Sequence, residues 1–368
     1  MPAVTSRLHG LSALGQSVWI DFLSRDLIDS GGLARAIDED AVVGVTSNPS
    51  IFEKALSRGQ AYDAQIAAQG RGDTKQAFLS LAMRDVATAC DLLRPVWERR
   101  QGGDGYVSIE VDPNLAHDTN ATIDEATMLH EAIARPNLLV KIPATDAGVG
   151  AIEEMTARGR SINVTLIFSL TRHRQVIEAY LAGLERLVAG GGDPSRVHSV
   201  ASFFVSRVDT ETDRRLDELR RADLKGRLGI ANARLAYQQY KMAFAGERWQ
   251  ALAAHGATKQ RCLWASMSTK DPAYRDTLYV EELIGPETIA TMPEETIRAF
   301  QEHGRVEPRL ESSMMEARLL PTQLSAAGVD YDDIVATLER EGIEKFIASF
   351  NQLLKGITDK ARDLAAAA

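Results

Sequence analysis

Several polar and charged residues lie within short apolar segments of this sequence, where a buried polar group without a hydrogen-bond partner costs free energy. Each lies in or at the end of one such segment, and Asn163 and Thr165 share a segment. The residues are Asp21, Asn48, Glu110, Lys141, Asn163, Thr165, Ser202 and Ser266. Because packing alone does not require polar side chains there, these positions are candidates for catalysis or ligand binding.

Lys141 is the most unusual of them, since the segment NLLVKIPATDAG surrounds it with apolar or uncharged residues for several positions. Burial disfavours an ammonium and favours the neutral amine, which can attack a carbonyl carbon and form a Schiff base. A lysine in a strand can also extend its ammonium to solvent or pair with a carboxylate such as Glu110. Both interpretations are open, and the neighbouring polar residues favour the first.

The other polar residues supply what Schiff-base chemistry needs. Formation of an imine requires proton delivery to the oxygen that leaves, and Glu110 with a water held by Thr165 suits that task. Asn163 lies two residues before Thr165, so both would point to the same face of a strand. Cleavage of a carbon–carbon bond requires a base, for which Asp21 is a candidate. Each acid alone is equally compatible with a helix cap or a salt bridge within a barrel.

Two further segments carry candidate binding groups. In TSNPS at 46–50, Asn48 precedes a proline and is expected to end its strand, with the amide directed toward the site; an ordinary Asn-Pro turn is the alternative. In SVASFFVSRVD, Ser202 and Arg207 combine a hydroxyl with a fixed positive charge, which suits a phosphate. Arg207 could instead pair with Asp209 or with a helix carboxylate.

The apolar segments alternate with helical stretches, which is typical of consecutive βα units around a parallel sheet. We predict strands at 17–23, 41–48, 106–112, 137–144, 161–168, 199–208, 259–267 and 277–283. Eight strands without a Gly-rich phosphate turn after the first favour a closed (β/α)8 TIM barrel, whose strand ends would collect the polar residues at one mouth. We expect one domain over 1–368, with a helical insertion at 53–100 and a helical C-terminal extension at 286–368.

Composition narrows the class of protein. A formal net charge of −9 argues against nucleic-acid partners and a polybasic membrane patch. The first residues lack the apolar run of a secretory signal and no later run approaches a membrane span, so we expect a cytoplasmic protein. Cys90 and Cys262 are predicted to be reduced packing residues. The seven histidines show no metal-ligand spacing, so we expect no metal site.

The sequence resembles the transaldolase family from about Trp19 to Ser266. The most specific segments are GVTSNPSIF at 44–52 and LVKIPATDAGVGAIEEM at 139–155, which look like the two signatures of the family. SIEVD, INVTLIFS and SFFVSR follow the order of the family. The C-terminal half resembles a longer bacterial subtype.

The resemblance implies a role for each candidate residue. Lys141 matches the Schiff-base lysine, and Glu110 and Thr165 match the groups that hold the catalytic water. Asp21 matches the residue that handles the proton during bond cleavage. The implied substrate-binding residues are Asn48, Asn163, Ser202, Arg207 and Ser266. A second phosphate-binding arginine of the family is replaced by Ser268 here, and Lys270 is expected to substitute for it.

The implied reaction belongs to the non-oxidative pentose phosphate pathway. A dihydroxyacetone unit moves from sedoheptulose 7-phosphate or fructose 6-phosphate to an aldose phosphate through Lys141, with no metal or organic cofactor, because the protonated imine polarises the bond. One alternative is an aldolase that releases free dihydroxyacetone, although Phe204 stands where such enzymes typically have tyrosine. Another is a sugar-phosphate-binding barrel without catalysis. A homo-oligomer is possible.

Overall fold

The computed structural model of this chain describes residues 6–57, 59–69 and 72–367. In those residues, eight parallel strands form a closed barrel in which each strand pairs with the next along the chain and β8 pairs with β1. The strands are β1 Gln16–Ile20, β2 Val42–Val45, β3 Tyr106–Glu110, β4 Leu138–Pro143, β5 Ile162–Ile167, β6 Ser199–Phe204, β7 Arg261–Ala265 and β8 Thr288–Met292. The structure therefore confirms the predicted (β/α)8 TIM barrel.

Helices connect the strands and extend the chain beyond the barrel. From the start of the chain to β6 they are α1 Arg7–Ala13, α2 Arg25–Asp29, α3 Gly32–Glu39, α4 Pro49–Ser57, α5 Asp63–Gln69, α6 Thr74–Arg99, α7 Thr119–Ile133, α8 Asp146–Ala157 and α9 Leu170–Ala189. After β6 they are α10 Ser206–Glu218, α11 Leu228–Ala243, α12 Glu247–Ala254, α13 Leu278–Glu282, α14 Glu294–His303, α15 Met314–Ala326 and α16 Tyr331–Ala367. The stretch between β2 and β3 thus carries α4, α5 and α6, in agreement with the helical insertion predicted at 53–100.

The eighth strand is not where the sequence pattern placed it. The segment 277–283 was expected to be a strand because TLYVEEL is rich in β-branched and aromatic residues, but it forms the helix α13. Its Glu281 is buried and accepts hydrogen bonds from Thr277 and Arg275, which satisfies a charge that a barrel strand would leave without partners. The eighth strand is instead TIATM at β8, inside the region 286–368 that was predicted to be a helical C-terminal extension.

The alternation of side chains along each strand separates two apolar cores. One core lies between the strands and the surrounding helices, and the other fills the barrel interior with residues such as Trp19, Leu139, Val200, Leu263 and Ile289. Because successive residues of a strand point to opposite faces, Lys141 lies on the same face as Leu139 and therefore points into the barrel. This periodicity brings the polar residues of several strands together.

A bulge in β5 changes the alternation next to Thr165. The pairing of β5 with β6 is irregular between Val164 and Ile167, and Leu166 has a left-handed backbone with φ of 58°. Val164 and Ile167 belong to the outer core, whereas Leu166 belongs to the inner one. An extra residue in the strand therefore lets Thr165 and Leu166 both face the interior, at a cost of about 1 kcal/mol for the left-handed conformation.

The long helix α16 lies across the end of the barrel that carries the strand carboxyl ends. Ser349 on α16 and Ser50 on α4 share a hydrogen bond of 2.7 Å between their hydroxyls. Gly342 lies against the barrel: a Cβ atom there would be 3.2 Å from Leu166 Cδ2 and 3.4 Å from Phe168. The helix thereby becomes one wall of the barrel mouth.

Within the described part of the chain, no helix combines the length and the apolar character needed to span a membrane.

Candidate active site

A cavity of about 270 Å³ opens at the carboxyl ends of the strands. In TIM-barrel enzymes this end of the barrel carries the active site. Of the sequence-predicted residues, the following line the cavity: Asp21, Asn48, Lys141, Thr165, Ser202, Arg207, Ser266 and Lys270. Glu110 and Asn163 do not line it but contact residues that do. The structure thus brings all ten candidates into one region.

Lys141 lies on β4 between two strands that carry the polar side chains Glu110 and Asn163. In the barrel, Glu110 of β3 pairs in register with Lys141 of β4, and Lys141 pairs with Asn163 of β5. The ammonium of Lys141 lies 3.1 Å from Glu110 Oε2 and donates a hydrogen bond of 3.1 Å to the Ser47 carbonyl. Lys141 is only 5% exposed. The pairing with Glu110, one of the alternatives open from the sequence, is therefore present, and the amine still reaches the cavity.

Glu110 and Thr165 contain polar atoms that the described residues leave without hydrogen bonds. The side chain of Glu110 is 4% exposed, and burial raises the pKa of its carboxyl, although the nearby Lys141 ammonium opposes the shift. Glu110 Oε2 lies close to Lys141 without meeting hydrogen-bond geometry, and Thr165 Oγ1 has no hydrogen-bond partner among the described residues. Buried atoms of this kind usually bind water or a ligand.

Asp21 lies on the cavity wall just after β1. Its Oδ1 accepts a hydrogen bond of 2.6 Å from the hydroxyl of Thr46, which in turn lies 2.7 Å from the Thr291 hydroxyl. Burial raises the pKa of Asp21, while Lys141, the Thr46 hydrogen bond and Arg207 lower it. Asp21 is therefore a carboxylate held in a fixed direction beside the lysine, with a raised proton affinity.

The two asparagines are held by different contacts. Asn163 Nδ2 donates to Ser108 Oγ at 3.0 Å, and its Oδ1 accepts from Ser202 Oγ at 2.7 Å. The Oδ1 of Asn48 accepts from the backbone N–H of Ile51 at 3.1 Å, as in an N-terminal helix cap. Asn48 therefore forms the structured Asn-Pro turn and also contributes to the cavity wall.

Arg207 lies at the start of α10 and faces aromatic rings instead of a carboxylate. Its Cζ is 5.3 Å from the ring centre of Phe204 and 5.8 Å from that of Phe346. Burial lowers the pKa of Arg207 from its ordinary value, although Asp21 and Glu110 oppose the shift. Its Nη1 is buried without a hydrogen-bond partner in the described residues. Asp209, the alternative partner, accepts a hydrogen bond from the backbone of Gly229.

The loop after β7 supplies the remaining polar groups. Ser266 adopts a left-handed backbone with φ of 57°, and its hydroxyl lies 2.8 Å from that of Ser206. Lys270 Nζ donates to Ser268 Oγ at 2.6 Å. Burial lowers the pKa of Lys270, and Glu295 opposes this shift. The loop therefore presents a cation on the same cavity as Arg207.

Sequence reasoning missed several residues of the cavity. Thr46 belongs to the TSNPS segment that carries Asn48, which gave a partial signal, whereas Lys54 lies just beyond that segment on α4. Glu295 follows the strand that was misplaced, and Phe346 comes from the C-terminal helix, so no local pattern connected either with the site. These residues reach the cavity only because the chain closes into a barrel.

The fold and the site together define a (β/α)8-barrel protein with a buried lysine–carboxylate pair at the mouth of the barrel. A family model described as Transaldolase/Fructose-6-phosphate aldolase matches residues 18–357. The chain is 50% identical over 368 residues to Transaldolase 2 of Streptomyces avermitilis, which covers 98% of this chain and 99% of that protein. It is 51% identical over 362 residues to a transaldolase of Mycobacterium tuberculosis, covering 96% of this chain and 97% of that protein. This chain belongs to the transaldolase/fructose-6-phosphate aldolase family.

Proposed function

We propose that this protein is a transaldolase, which transfers a dihydroxyacetone unit from a ketose phosphate to an aldose phosphate. The observation that carries the proposal is Lys141, buried in the barrel interior with its amine 3.1 Å from Glu110 and open to the cavity. Relatives at about half identity over nearly their whole length carry the name transaldolase. Sedoheptulose 7-phosphate and fructose 6-phosphate are the proposed donors.

The first step joins the donor to the enzyme. The neutral amine of Lys141 attacks the ketone carbon, and the resulting carbinolamine loses its hydroxyl as water when a proton is delivered to that oxygen. Glu110, whose pKa is raised by burial, is the proposed proton donor, acting through a water bound by Thr165. The buried Thr165 Oγ1, which has no hydrogen-bond partner in the part of the chain that the structure describes, supports such a water.

The second step breaks a carbon–carbon bond. Asp21 takes the proton of the hydroxyl next to that bond, an aldose phosphate leaves, and the electron pair moves into the iminium to give an enamine on Lys141. A second aldose phosphate accepts the three-carbon unit in the reverse sequence, with Asp21 returning the proton. Hydrolysis consumes one water and releases the new ketose, which balances the water lost in the first step.

The other cavity residues are proposed to bind the substrate. Asn48 and Asn163 would hold the hydroxyls of the dihydroxyacetone unit, and Ser202 orients Asn163 through its hydrogen bond. Arg207 and Lys270 would bind the phosphate, with Ser266 beside them. The buried Nη1 of Arg207, which has no partner in the described residues, supports this assignment because a phosphate oxygen would satisfy it.

Borohydride reduction tests the covalent chemistry directly. Fructose 6-phosphate and borohydride should add one reduced dihydroxyacetone unit to Lys141, located by peptide mass spectrometry, because borohydride converts an imine into a stable amine. The matched control is Lys54→Ala, which removes another cavity lysine and should still be labelled on Lys141. An adduct on a different lysine, or none, would refute the assignment and favour a barrel that binds sugar phosphates without catalysis.

The same substrate distinguishes transfer from aldol cleavage. Turnover of fructose 6-phosphate should depend on added erythrose 4-phosphate, because the enamine on Lys141 waits for an acceptor. Phe204 supports this expectation, since it offers no hydroxyl to protonate the enamine. Comparable turnover without an acceptor would show that the protein is an aldolase.

Thr46 gives a prediction for pH dependence. Thr46→Val removes the hydrogen bond that lowers the pKa of Asp21, so this pKa should rise further. Because the proposed base acts when ionised, the acid limb of the kcat profile should shift to higher pH, with a loss of about tenfold at the acid end. The measurement is kcat against pH, with Thr46→Ser as the control that keeps the hydroxyl. An unshifted acid limb would mean that Asp21 is not the titrating group.

We further propose that the whole chain acts as one domain, because α4 and α16 both supply walls of the barrel cavity. Cytoplasmic location and assembly into a homo-oligomer stay predictions from the sequence.

A further inference from the structure

The buried end of the Arg207 side chain has no hydrogen-bond partner among the described residues at Nη1, so another contact must hold the guanidinium in place. Glu341, the nearby carboxylate on α16, instead lies 3.2 Å from the ammonium of Lys345. The charge of Arg207 is therefore left available to a ligand, and the position of the guanidinium depends on its aromatic neighbours.

Two aromatic rings supply that contact from distant parts of the chain. Phe204 lies at the end of β6, and its ring also packs against Phe168 at 5.1 Å. Phe346 lies on α16, is 4% exposed and lines the cavity. Both ring centres lie within the distance of about 6 Å at which a cation and an aromatic face attract one another. Phe204 is part of the barrel, whereas Phe346 arrives with the C-terminal helix.

The helix is anchored in a way that fixes Phe346. The Ser349–Ser50 hydrogen bond joins α16 to α4 three residues after Phe346. Phe350, four residues after Phe346, packs edge to face against Phe78 with ring centres 5.6 Å apart. Before Phe346, Gly342 allows the helix to lie close to Leu166 and Phe168. A side chain held on both sides in this way can orient a neighbour at little entropic cost.

We propose that Phe346 is a positioning residue that holds the Arg207 guanidinium for the substrate phosphate, so that the C-terminal helix determines affinity for phosphorylated sugars. This inference rests on the proposed function, in which Arg207 binds that phosphate. Loss of the ring leaves Arg207 free to sample other directions and removes the cation–π attraction. Arg207 acts on the proposed proton-transfer groups Asp21 and Glu110 through its charge. Phe346→Leu removes the ring and keeps that charge, so chemistry on the bound substrate should be preserved.

The test compares Phe346→Leu with Phe350→Leu, the same substitution one turn away on the same helix, where the ring lies outside the active-site cavity. Phe346→Leu should raise the KM for fructose 6-phosphate and the inhibition constant for inorganic phosphate by about tenfold. Its kcat should stay within about twofold, and Phe346→Tyr, which keeps the aromatic ring, should restore both constants. Thermal melts compare the stability that the two Leu variants lose. At a similar loss of stability, Phe350→Leu should change neither the KM for fructose 6-phosphate nor the inhibition constant for phosphate.

A second readout separates this inference from the proposed function. Borohydride trapping of unphosphorylated dihydroxyacetone on Lys141 should be unchanged in Phe346→Leu, since that ligand carries no phosphate. Equal effects of the two Leu variants, or a loss in kcat and in trapping without a change in KM, would overturn the positioning role. Failure of the unsubstituted protein to form any adduct would instead refute the proposed function. If Phe346→Leu does not fold, Phe346→Met makes the same comparison.

Discussion

Replacement of Lys141 by methionine is expected to abolish transfer, with a loss of about 10⁴-fold or more in kcat, because it removes the amine that forms the proposed covalent intermediate. Methionine keeps most of the length and packing volume of lysine but has no amine. The measurement is transfer from fructose 6-phosphate to erythrose 4-phosphate, together with borohydride trapping. Residual transfer close to that of the unsubstituted protein would rule out covalent catalysis by Lys141.

The same variant has a predicted effect on stability. Without the lysine, the Glu110 carboxylate, whose side chain is 4% exposed, no longer has its cationic partner. The free energy of unfolding should fall by about 3–5 kcal/mol if the carboxylate stays ionised. The pKa of Glu110 in the folded protein, already raised by burial, should rise further because the lysine opposed that shift. The unfolded chain then releases its proton first. Stability should therefore fall as pH rises from the ordinary value of 4.5 toward the folded pKa.

Thermal melts across pH check this coupling. Lys141→Met should lose stability toward neutral pH more steeply than the unsubstituted protein, and the double variant Lys141→Met/Glu110→Gln should remove the excess slope because glutamine does not titrate. An unchanged slope in the single variant would show that Glu110 does not sense the lysine charge. Catalysis stays absent in both variants, so stability and chemistry are separated.

Replacement of Asp21 by asparagine is expected to lower the rate of transfer by about 10²–10⁴-fold. The amide fills the same space beside Thr46 but cannot take a proton from a sugar hydroxyl. Imine formation does not depend on this group in the proposed mechanism, so borohydride should still trap sugar on Lys141. The adduct should now retain the intact fructose 6-phosphate skeleton, since the carbon–carbon bond is not cleaved. Mass spectrometry distinguishes it from the three-carbon adduct.

Asp26→Asn is the matched control, because Asp26 is an exposed carboxylate on α2 that does not line the cavity. It should leave rate and adduct mass unchanged. Asp21→Asn should not destabilise the protein near neutral pH, since burial makes the ionised form of Asp21 unfavourable. A three-carbon adduct formed at the usual rate by Asp21→Asn would assign the base to another group.

The positions in the fold of residues within a strong local pattern could be predicted from the sequence. Glu110, Lys141 and Asn163 lie in strands whose apolar neighbours identify them, and parallel pairing with β3, β4 and β5 then places them side by side. The order of the strands around the barrel follows from the order along the chain, so the sequence was sufficient to predict that these side chains meet.

The prediction failed where tertiary contacts override local pattern. TLYVEEL has the residue types of a strand but forms α13, where Glu281 finds its partners, while the short TIATM forms β8. The bulge that turns both Thr165 and Leu166 inward depends on pairing with β6 and leaves no local signature. Phe346 and Arg207 are neighbours only after the barrel has closed and α16 has crossed it.

The position of α16 after all the strands implies an order in which parts of the protein fold during synthesis. All eight strands precede α16, so a nascent chain on the ribosome can close its barrel before the helix emerges. At that stage Lys141, Glu110 and Asp21 are already neighbours, but the wall formed by Phe346 is missing. With the roles proposed for Lys141 and Phe346, affinity for phosphorylated sugars is therefore expected to arise only after the residues proposed for the covalent chemistry have been brought together.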